Sequence, residues 1–356
     1  QNSVIEKGMD DISAQPWDGA GEGAGHEGHN GKSSASARED ALHHCTMQTN
    51  IPGFEKLHQG KVRDVYKLSD DRIALVATDR ISAFDFIMRQ AIPYKGQILN
   101  QLSAHFFEGV SDLCETHFLG LPHPNVMIAK WCEPVPIEVV VRGYVTGHAW
   151  RVYRDGGREL CGVRLPEGLR EHEAFPSPIL TPATKAEEGH DLDISESDLL
   201  AQGLVEPALW EEIRETAFAL FRRGTEMAAS RGLILVDTKY EFGVVDGQCT
   251  LMDEVHTTDS SRYFYQEGYQ EQLIAGEHQK QLSKEYLREW LLEQGFSGKE
   301  GQVVPDLPDA FRWSVYERYK ELFEMMTGSV FEPVAIPPQE AFDRELEQVL
   351  SNAAGL

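Results

Sequence analysis

The sequence predicts an α+β protein built from more than one structural unit. Three observations lead to this prediction: a β-rich pair of segments at 62–77, a second such pair at 232–255, and long helical segments between and after them. The chain has 356 residues, of which 41% are hydrophobic and 26% are charged. This length allows two or three units, and the composition is ordinary for a globular protein.

The first half of the chain alternates strand-like and helix-like segments. VRDVYKL (62–68) and RIALVA (72–77) flank a short polar turn and predict a hairpin. Leu99 to Val110 has the periodicity of an amphipathic helix. IEVVVRG (137–143) predicts a buried strand, and residues 144–157 predict a helix that ends in glycine.

The second half contains a long irregular stretch and then the clearest hairpin. Residues 160–193 are rich in Pro, Gly and charge, which is typical of a long functional loop. Pro207 to Arg231 predicts a helix that ends at Gly232, and the two segments that flank Asp246-Gly247 predict the hairpin. Further helices are predicted at 284–294, 308–327 and 339–352.

The chain divides into three predicted parts. Residues 1–48 include a Gly/Ser/Ala-rich run with almost no large apolar side chain, which cannot offset its ordering entropy, and they are expected to form a disordered tail. Residues 49–133 are expected to form a small β-rich unit. Residues 134–356 are expected to form a larger α+β unit that carries the C-terminal helices.

Charge and cysteine usage exclude several classes of partner. The formal net charge of −25 repels nucleic acid and anionic membrane surfaces, although a local basic pocket can still bind a small anion. The five cysteines are far apart, with no CxxC pair, so neither a zinc site nor a disulfide framework is indicated. No apolar run reaches the roughly 18 residues of a membrane helix. We expect a cytoplasmic protein without nucleic-acid or membrane partners.

The motif GKVRDVY (60–66) places two cations at the start of a strand. Lys61 and Arg63 lie two residues apart, so they share one face of an extended chain, and Gly60 allows close backbone approach. Two cations on one face suit a polyphosphate. The alternative is an ordinary strand start, and the chain has no Walker A sequence.

Two further motifs place polar groups after strands. In TDRISAFD (78–85), Asp79, Ser82 and Asp85 could line a site or simply cap a turn. In VVVRGYVTGHAW (139–150), Arg142 follows an apolar strand. A cation in that position is either a ligand for an anion or a partner in a buried ion pair.

The hairpin at 232–255 carries the most informative residues. On an extended strand Asp237, Lys239 and Glu241 share one face, and ionisable groups there are costly unless they bind something. Lys239 suits phosphate oxygens, and the hard oxygens of Glu241 and Asp253 suit Mg²⁺. A two-residue turn would place Glu241 opposite Met252, so a shared metal site predicts a three-residue loop at 246–248 or a bulge. The alternative is a ladder of cross-strand salt bridges.

Two further polar clusters, taken alone, indicate a binding site less clearly. TPATKAEEGHD (181–191) includes Lys185 and predicts an exposed polar loop. Asp259, Ser260, Ser261 and Arg262 combine hydroxyls with a guanidinium, which suits a phosphate or a carboxylate but also suits a capped turn.

Taken together, seven motifs resemble the SAICAR synthase family in identity and in order. They are GKVRDVY, TDRISAFD, KGQILNQLS, VVVRGYVTGHAW, TPATKAEEGHD, LVDTKYEFG and MDEVHTTDSSRYF. The resemblance covers about residues 52–345 and not the N-terminal tail. It implies a two-lobed α+β fold, in which a small β-rich lobe covers ATP and a larger lobe binds a nucleotide substrate. It also implies the joining of carboxyaminoimidazole ribonucleotide to L-aspartate at the expense of ATP.

The resemblance implies a role for each motif residue. The ATP site would comprise Gly60, Lys61, Arg63, Lys239 and Glu241. Mg²⁺ would be held by Glu241 and Asp253. Substrates would be bound by Asp79, Ser82, Asp85, Arg142, Lys185, Asp259, Ser260, Ser261 and Arg262. The catalytic cations would be Lys239, Arg142 and Arg262. Backbone near 131–134 would read adenine.

Two other functions remain open at this point. A small-molecule kinase on a related scaffold would leave the phosphate on its product, and the absence of an HRD catalytic motif counts against it. A non-enzymatic ATP-binding protein would bind the nucleotide without turnover.

Overall fold

The computed structural model describes residues 34–185 and 192–355. Within these residues the helices are α1 Ser34–His43, α2 Lys95–Val110, α3 Gly147–Arg154, α4 Glu196–Ala201, α5 Pro207–Ala229, α6 Tyr269–Ala275, α7 Glu285–Glu293, α8 Asp309–Thr327 and α9 Gln339–Ala354. The strands are β1 Lys56–Gln59, β2 Arg63–Lys67, β3 Arg72–Ala77, β4 Ser82–Ala83, β5 Phe86–Ile87, β6 Glu115–Thr116, β7 Phe118–His123, β8 Val126–Lys130, β9 Glu133–Tyr144, β10 Glu159–Leu160, β11 Val163–Arg164, β12 Ala174–Thr184, β13 Leu192–Asp193, β14 Leu233–Val245, β15 Gln248–Met252, β16 Ser261–Tyr265 and β17 Gln281–Leu282.

The small sheet is a five-stranded antiparallel sheet with the order β1-β2-β3-β8-β7. The predicted hairpin at 62–77 is its β2–β3 pair. Strand β3 is apolar on both faces because both are covered: Ile73 and Leu75 join the main core, while Ala74 and Val76 pack in a second cluster with α9.

The large sheet contains eight strands arranged around the 13-residue strand β14. One edge of β14 pairs with β9 along most of its length. The other edge is shared, because β15 pairs with residues 241–245 and β16 pairs with residues 233–238. Residues 253–260, here called the connecting segment, lead from β15 to β16. Since the segment leaves β15 opposite Glu241 and joins β16 opposite Thr238, it lies beside the middle of β14.

One main core joins the two sheets. Helix α2 lies between them and contributes Ile98, Leu102 and Phe106, all fully buried. At 25 cal/mol per Å² of apolar surface, burying each such side chain contributes about 2 kcal/mol. Helices α5 and α8 contribute to the same cluster. No helix of the described residues is both long and apolar enough to cross a membrane.

The predicted long loop at 160–193 is wrong for residues 174–184. Residues 174–184 form strand β12, which pairs with β9. Two of the three prolines fit because the register shifts between Ala174 and Ile179, so Pro176 and Pro178 lie in an irregular part of the ladder where no N–H is needed. The third, Pro182, pairs in register with Val139. Residues 186–191, which belong to the TPATKAEEGHD motif, lie outside the described residues.

The predicted disordered tail differs from the structure at residues 34–48. Helix α1 occupies 34–43, and Ala41 and Leu42 are buried. The Arg312 guanidinium of α8 donates to the Leu42 carbonyl oxygen at 2.9 Å. Contacts with the rest of the molecule therefore order residues 34–48, whose composition alone does not predict an ordered structure. Residues 1–33 lie outside the described residues.

The C-terminal helix is associated with the small sheet. Phe342, Leu346 and Leu350 of α9 pack against Tyr66, Val76 and Val126. The prediction assigned all of 134–356 to the larger unit, because α9 is adjacent in sequence to α8. The apolar stripe of α9 instead covers the outer face of the small sheet.

Candidate active site

The middle of β14 presents its charges to one side, as predicted. The Lys239 ammonium donates to Glu138 Oε1 at 2.8 Å and to Glu241 Oε1 at 2.5 Å. Lys185 donates to the other oxygen of Glu241. Strand alternation explains the arrangement, because residues 239 and 241 share a face and Glu138 is the direct partner of Glu241 on β9. Lys185 therefore lies beside Lys239 and Glu241, which are the residues suited to phosphate and to Mg²⁺.

The predicted three-residue loop at 246–248 is wrong. The hairpin has a two-residue turn at Asp246-Gly247, both with positive φ, and Glu241 pairs with Met252. Asp253 reaches the same site by a different route. It lies just after β15 with φ 66°, and this left-handed conformation redirects the chain out of the sheet.

Asp253 and Glu254 are held by a cation from the small sheet. Arg63 donates through Nη1 to Asp253 Oδ1 at 3.3 Å and through Nη2 to Glu254 Oε2 at 3.1 Å. Burial opposes the charge on Arg63, but Glu254 and Asp253 outweigh it and raise its pKa. The predicted phosphate ligand Arg63 is thus an ion-pair partner that joins the two lobes in this conformation.

Glu241 and Asp253 provide a donor set that fits Mg²⁺. Burial raises the pKa of Asp253 to about 6, and the negative charge of the Glu241 carboxylate adds to the rise. Among residues 34–185 and 192–355 no three Asp, Glu, His or Cys side chains are grouped to hold a metal ion. Mg²⁺ usually takes one or two protein carboxylates and completes its shell with phosphate and water. Two acids beside Lys239 suit that pattern.

A cavity of about 360 Å³ lies beside these residues. The lining of the cavity carries more cationic than acidic side chains, whereas the whole chain has a net charge of −25. The cations are Arg142, Arg151, Lys239, Arg262, Lys284 and Arg288. The acids are Asp85, Asp237, Asp259 and Glu285. The structure therefore places a basic pocket inside an acidic surface, and such a pocket attracts small anions.

Arg142 and Arg262 lie together in this cavity, as the motifs predict. Asp237 Oδ2 is 3.5 Å from Arg142 Nη1 and 3.8 Å from Arg262 Nη1. Arg262 also contacts Glu285 Oε2 at 3.0 Å. Gly147, at φ 54°, is needed here because an added Cβ would lie 2.5 Å from the Arg262 guanidinium. The absence of a side chain at Gly147 thus makes room for the Arg262 guanidinium.

Asp259 is held by three donors. Its Oδ2 accepts from Lys95 at 2.9 Å and from Lys284 at 3.4 Å, and its Oδ1 accepts from Tyr319 at 2.5 Å. Burial opposes ionisation, but Lys284 and Lys95 lower the pKa of Asp259. Asp259 therefore orients Lys284 at the cavity wall. Ser260 and Ser261 line the same cavity.

The tip of the β4–β5 pair reaches the cavity. Phe84 and Asp85 have φ of 51° and 65°, which is an unfavourable conformation for a bulky residue such as Phe84. Both line the cavity, and Asp85 pairs with Lys61 from the turn that follows Gly60. The predicted ATP site and the predicted substrate site therefore meet at the Lys61–Asp85 ion pair.

Asp79 and Ser82 are placed differently from the prediction that they bind substrate. Asp79 is fully buried, and its carboxylate accepts from the backbone N–H of Thr46 at 2.9 Å and of Gly96 at 3.0 Å. It therefore joins the N-terminal segment to the first turn of α2. Ser82 is buried in β4, and neither residue lines the cavity.

Several cavity residues were missed by sequence reasoning. Arg151 lies on α3, Lys284 precedes α7, and Arg288 lies on α7. The basic spacing in SKEYLRE (283–289) was the available signal, but on a helix it is equally typical of a solvated face. The backbone at 131–134 was predicted to read adenine. One of its N–H groups already has a protein partner, since Trp131 donates to the Asp71 carbonyl oxygen at 2.8 Å.

Comparison with known proteins identifies the family. The family described as SAICAR synthetase matches residues 56–303. The chain belongs to the SAICAR synthetase family. A relative from Bacteroides fragilis, named phosphoribosylaminoimidazole-succinocarboxamide synthase, is 56% identical over 283 residues, covering 79% of this chain and 90% of that protein.

Solved structures of the SAICAR synthetase family share this fold. The SAICAR synthase from Saccharomyces cerevisiae complexed with SAICAR has a TM-score of 0.69 at 32% identity and covers 81% of this chain and 100% of its own. A type-2 SAICAR synthetase in complex with ADP has a TM-score of 0.60 at 25% identity, covering 78% and 99%. The predicted two-lobed α+β fold and the prediction of a ligase are confirmed, and the kinase alternative is not supported.

Proposed function

We propose that this chain joins the carboxylate of carboxyaminoimidazole ribonucleotide to the amine of L-aspartate. ATP is consumed, and the products are SAICAR, ADP and phosphate. The observation that supports this most directly is the position of the basic cavity beside Lys239, Glu241 and Asp253. An anionic substrate in the cavity would thus present its carboxylate next to the residues suited to a polyphosphate.

The chemistry requires activation of a poor electrophile. ATP phosphorylates the ribonucleotide carboxylate, and the amine of aspartate then attacks the acyl phosphate and releases phosphate. Both steps separate or transfer negative charge between bound groups, so catalysis rests on positioning and on fixed cations. Arg142, Arg262 and Lys239 supply those cations, and each is anchored by a carboxylate at 2.5–3.8 Å.

The ATP phosphates are bound by Gly60, Lys61, Arg63 and Lys239. Lys61 pairs with Asp85, and Arg63 pairs with Asp253 and Glu254. These ion pairs keep the cations in place near the cavity, and phosphate oxygens can exchange with the carboxylates.

Mg²⁺ would be held by Glu241 and Asp253, with nucleotide phosphates completing its ligands. The ion supplies charge neutralisation at the phosphate oxygens when it is bound. Glu241 is already ionised, because Lys239 and Lys185 overcome the effect of burial and lower its pKa.

The cavity divides its cations between the other two substrates. Arg142, Arg262, Ser260 and Ser261 bind the ribonucleotide phosphate and carboxylate, as the motifs imply. The remaining cations suit the two carboxylates of aspartate; they are Arg151, Lys284 and Arg288. Asp259 acts by orienting Lys284. A cytoplasmic location is consistent with five free cysteines.

Phosphate release from ATP tests the proposal. Release should require both the ribonucleotide and aspartate, because the second step needs the amine. Glu241→Gln and Asp253→Asn should each lower the rate by about 100-fold or more, since each removes a charge from the metal site. Asp112→Asn is the matched control, because that side chain is 63% exposed, pairs with Arg223 of α5 and does not line the cavity. Release that ignores aspartate would contradict the ligase function, and full activity in both acid variants would contradict the metal site.

A further inference from the structure

The connecting segment is fixed at its middle by a buried histidine. His256 is fully buried with φ 53°, and its Nε2 lies 2.6 Å from the Tyr240 hydroxyl oxygen. The His256 carbonyl oxygen accepts a hydrogen bond from the Tyr263 hydroxyl at 2.7 Å. Burial lowers the pKa of His256 to about 3, so the ring is neutral in the working pH range.

Two helices close off the space around the His256 ring. Phe106 of α2 meets the ring edge to face, with centroids 5.0 Å apart. Gly224 of α5 lies directly beneath it, because an added Cβ would be 2.4 Å from His256 Cε1. The ring therefore has one position, and that position is set by packing from both sides.

Tyr240 lies between two residues of the proposed ATP site. Successive side chains of a strand point to opposite faces, so Lys239 and Glu241 face the site while Tyr240 points into the core. The Tyr240–His256 contact thus ties the connecting segment to the same three-residue stretch of β14 that carries Lys239 and Glu241.

The two halves of the connecting segment are held in different ways. Residues 257–261 are held by their own hydrogen bonds, in which the Thr257 hydroxyl accepts from the N–H groups of Asp259 and Ser260 and the Thr257 carbonyl accepts from Ser261. Residues 253–256 depend on contacts with other elements. These contacts are Arg63 at Asp253 and Glu254, Ser103 at the Val255 N–H, and Tyr240 and Tyr263 at His256.

We propose that Tyr240 and His256 are positioning residues that set Asp253 relative to Glu241 and Lys239. This inference rests on the proposed metal site at Glu241 and Asp253. Neither residue touches substrate; their hydrogen bond fixes where the connecting segment leaves β15. Loss of the bond loosens the 253–256 half, while the self-held half that carries Ser260 keeps its position, as does Arg262 of β16.

Binding of Mn²⁺ in the presence of ADP, followed by electron paramagnetic resonance, tests this role without turnover. Tyr240→Phe removes only the hydroxyl and should weaken Mn²⁺ binding roughly 10-fold, the size of effect expected when a residue that supports a metal ligand is lost. The KM for the ribonucleotide should change by less than about twofold, because the 257–261 half holds itself. Tyr269→Phe is the matched control, since it removes the buried hydroxyl that donates to His172 and leaves the connecting segment intact.

A second pair of variants at position 256 guards against a simple folding defect. His256→Gln keeps a polar group near the Tyr240 hydroxyl and should retain Mn²⁺ affinity within about threefold, whereas His256→Leu should lose about as much as Tyr240→Phe. Unchanged Mn²⁺ binding in Tyr240→Phe, or an equal loss in Tyr269→Phe, overturns the positioning role while the metal site stands. Absence of Mn²⁺ binding by the unaltered chain with ADP overturns the metal site and the positioning role together.

Discussion

Glu241 is buried and Asp253 is half-buried, and the pKa values of these two carboxyls move in opposite directions. Burial raises the pKa of each, but Lys239 and Lys185 contact Glu241 directly and lower its pKa. Asp253 has the Arg63 guanidinium on one side and the negative charges of Glu241 and Glu254 on the other, so its pKa rises to about 6. Of the two proposed metal ligands, Asp253 is therefore the one that protons can occupy near neutral pH.

Divalent-ion binding should weaken as the pH falls through about 6. A carboxyl with a raised pKa holds its proton up to that pH, so its charge is complete above pH 7 and largely lost below pH 5. Mn²⁺ binding with ADP, measured between pH 8 and 5 and corrected for Mn–ADP alone, checks this. Asp253→Asn should bind weakly at every pH with a flatter profile; the same steep profile in that variant would assign the proton to another group.

Helix α2 is the element that connects the two sheets, and its first turn is tightly constrained. Gly96 sits against β3, where an added Cβ would lie 2.4 Å from the Ala77 carbonyl oxygen. Its N–H also donates to Asp79. The KGQILNQLS motif therefore carries a structural requirement at Gly96 as well as the buried Lys95 that contacts Asp259.

Two glycines of α2 give a matched pair of variants. Gly96→Ala should lower the free energy of unfolding by roughly 1–3 kcal/mol, because the Cβ meets backbone that cannot yield. Gly109→Ala should be near neutral or slightly stabilising, since its Cβ would meet only the flexible end of Met227 at 3.0 Å and alanine favours the helix. Urea denaturation of both variants measures the difference. Equal effects would show that the first turn of α2 can shift away from β3.

The molecule is held together by contacts between segments far apart in sequence. The 34–48 segment contacts both the small sheet and α8, and α9 returns from the C-terminus to cover the outer face of the small sheet. The Thr46 N–H bonds Asp79, and the Arg80 guanidinium donates to the Met47 carbonyl oxygen at 2.6 Å. The N-terminal segment thus supplies hydrogen-bond partners to two buried charged side chains, Asp79 and Arg80, beside the GKVRDVY turn.

A chain that begins at residue 49 should be less stable than one that begins at residue 34. The shorter chain leaves Asp79, Arg80 and Arg312 each without one buried partner, and each loss costs about 1–3 kcal/mol. Denaturant unfolding of the two chains should therefore differ by several kcal/mol. Equal midpoints would show that residues 34–48 add no stability, as expected for the disordered tail that their composition predicts.

The sequence by itself determined the long periodic elements and indicated the candidate site residues. The hairpins at 62–77 and 232–255 were predictable because alternation and the Asp246-Gly247 turn are local signals. Lys239 and Glu241 were predicted to share a face by strand period alone, and they are in contact. The particular substrates came from the family resemblance, since no local pattern encodes them.

Only the tertiary structure decided which predicted residues face the cavity and how Asp253 reaches Glu241. Asp79 has the same polar signal as Asp85, but packing buries Asp79 between two backbone N–H groups and leaves Asp85 at the cavity. A left-handed residue after β15 replaced the predicted longer loop, and β12 formed where composition indicated irregular chain. In each case the outcome depends on partners distant in sequence, whose contacts outweigh local preference.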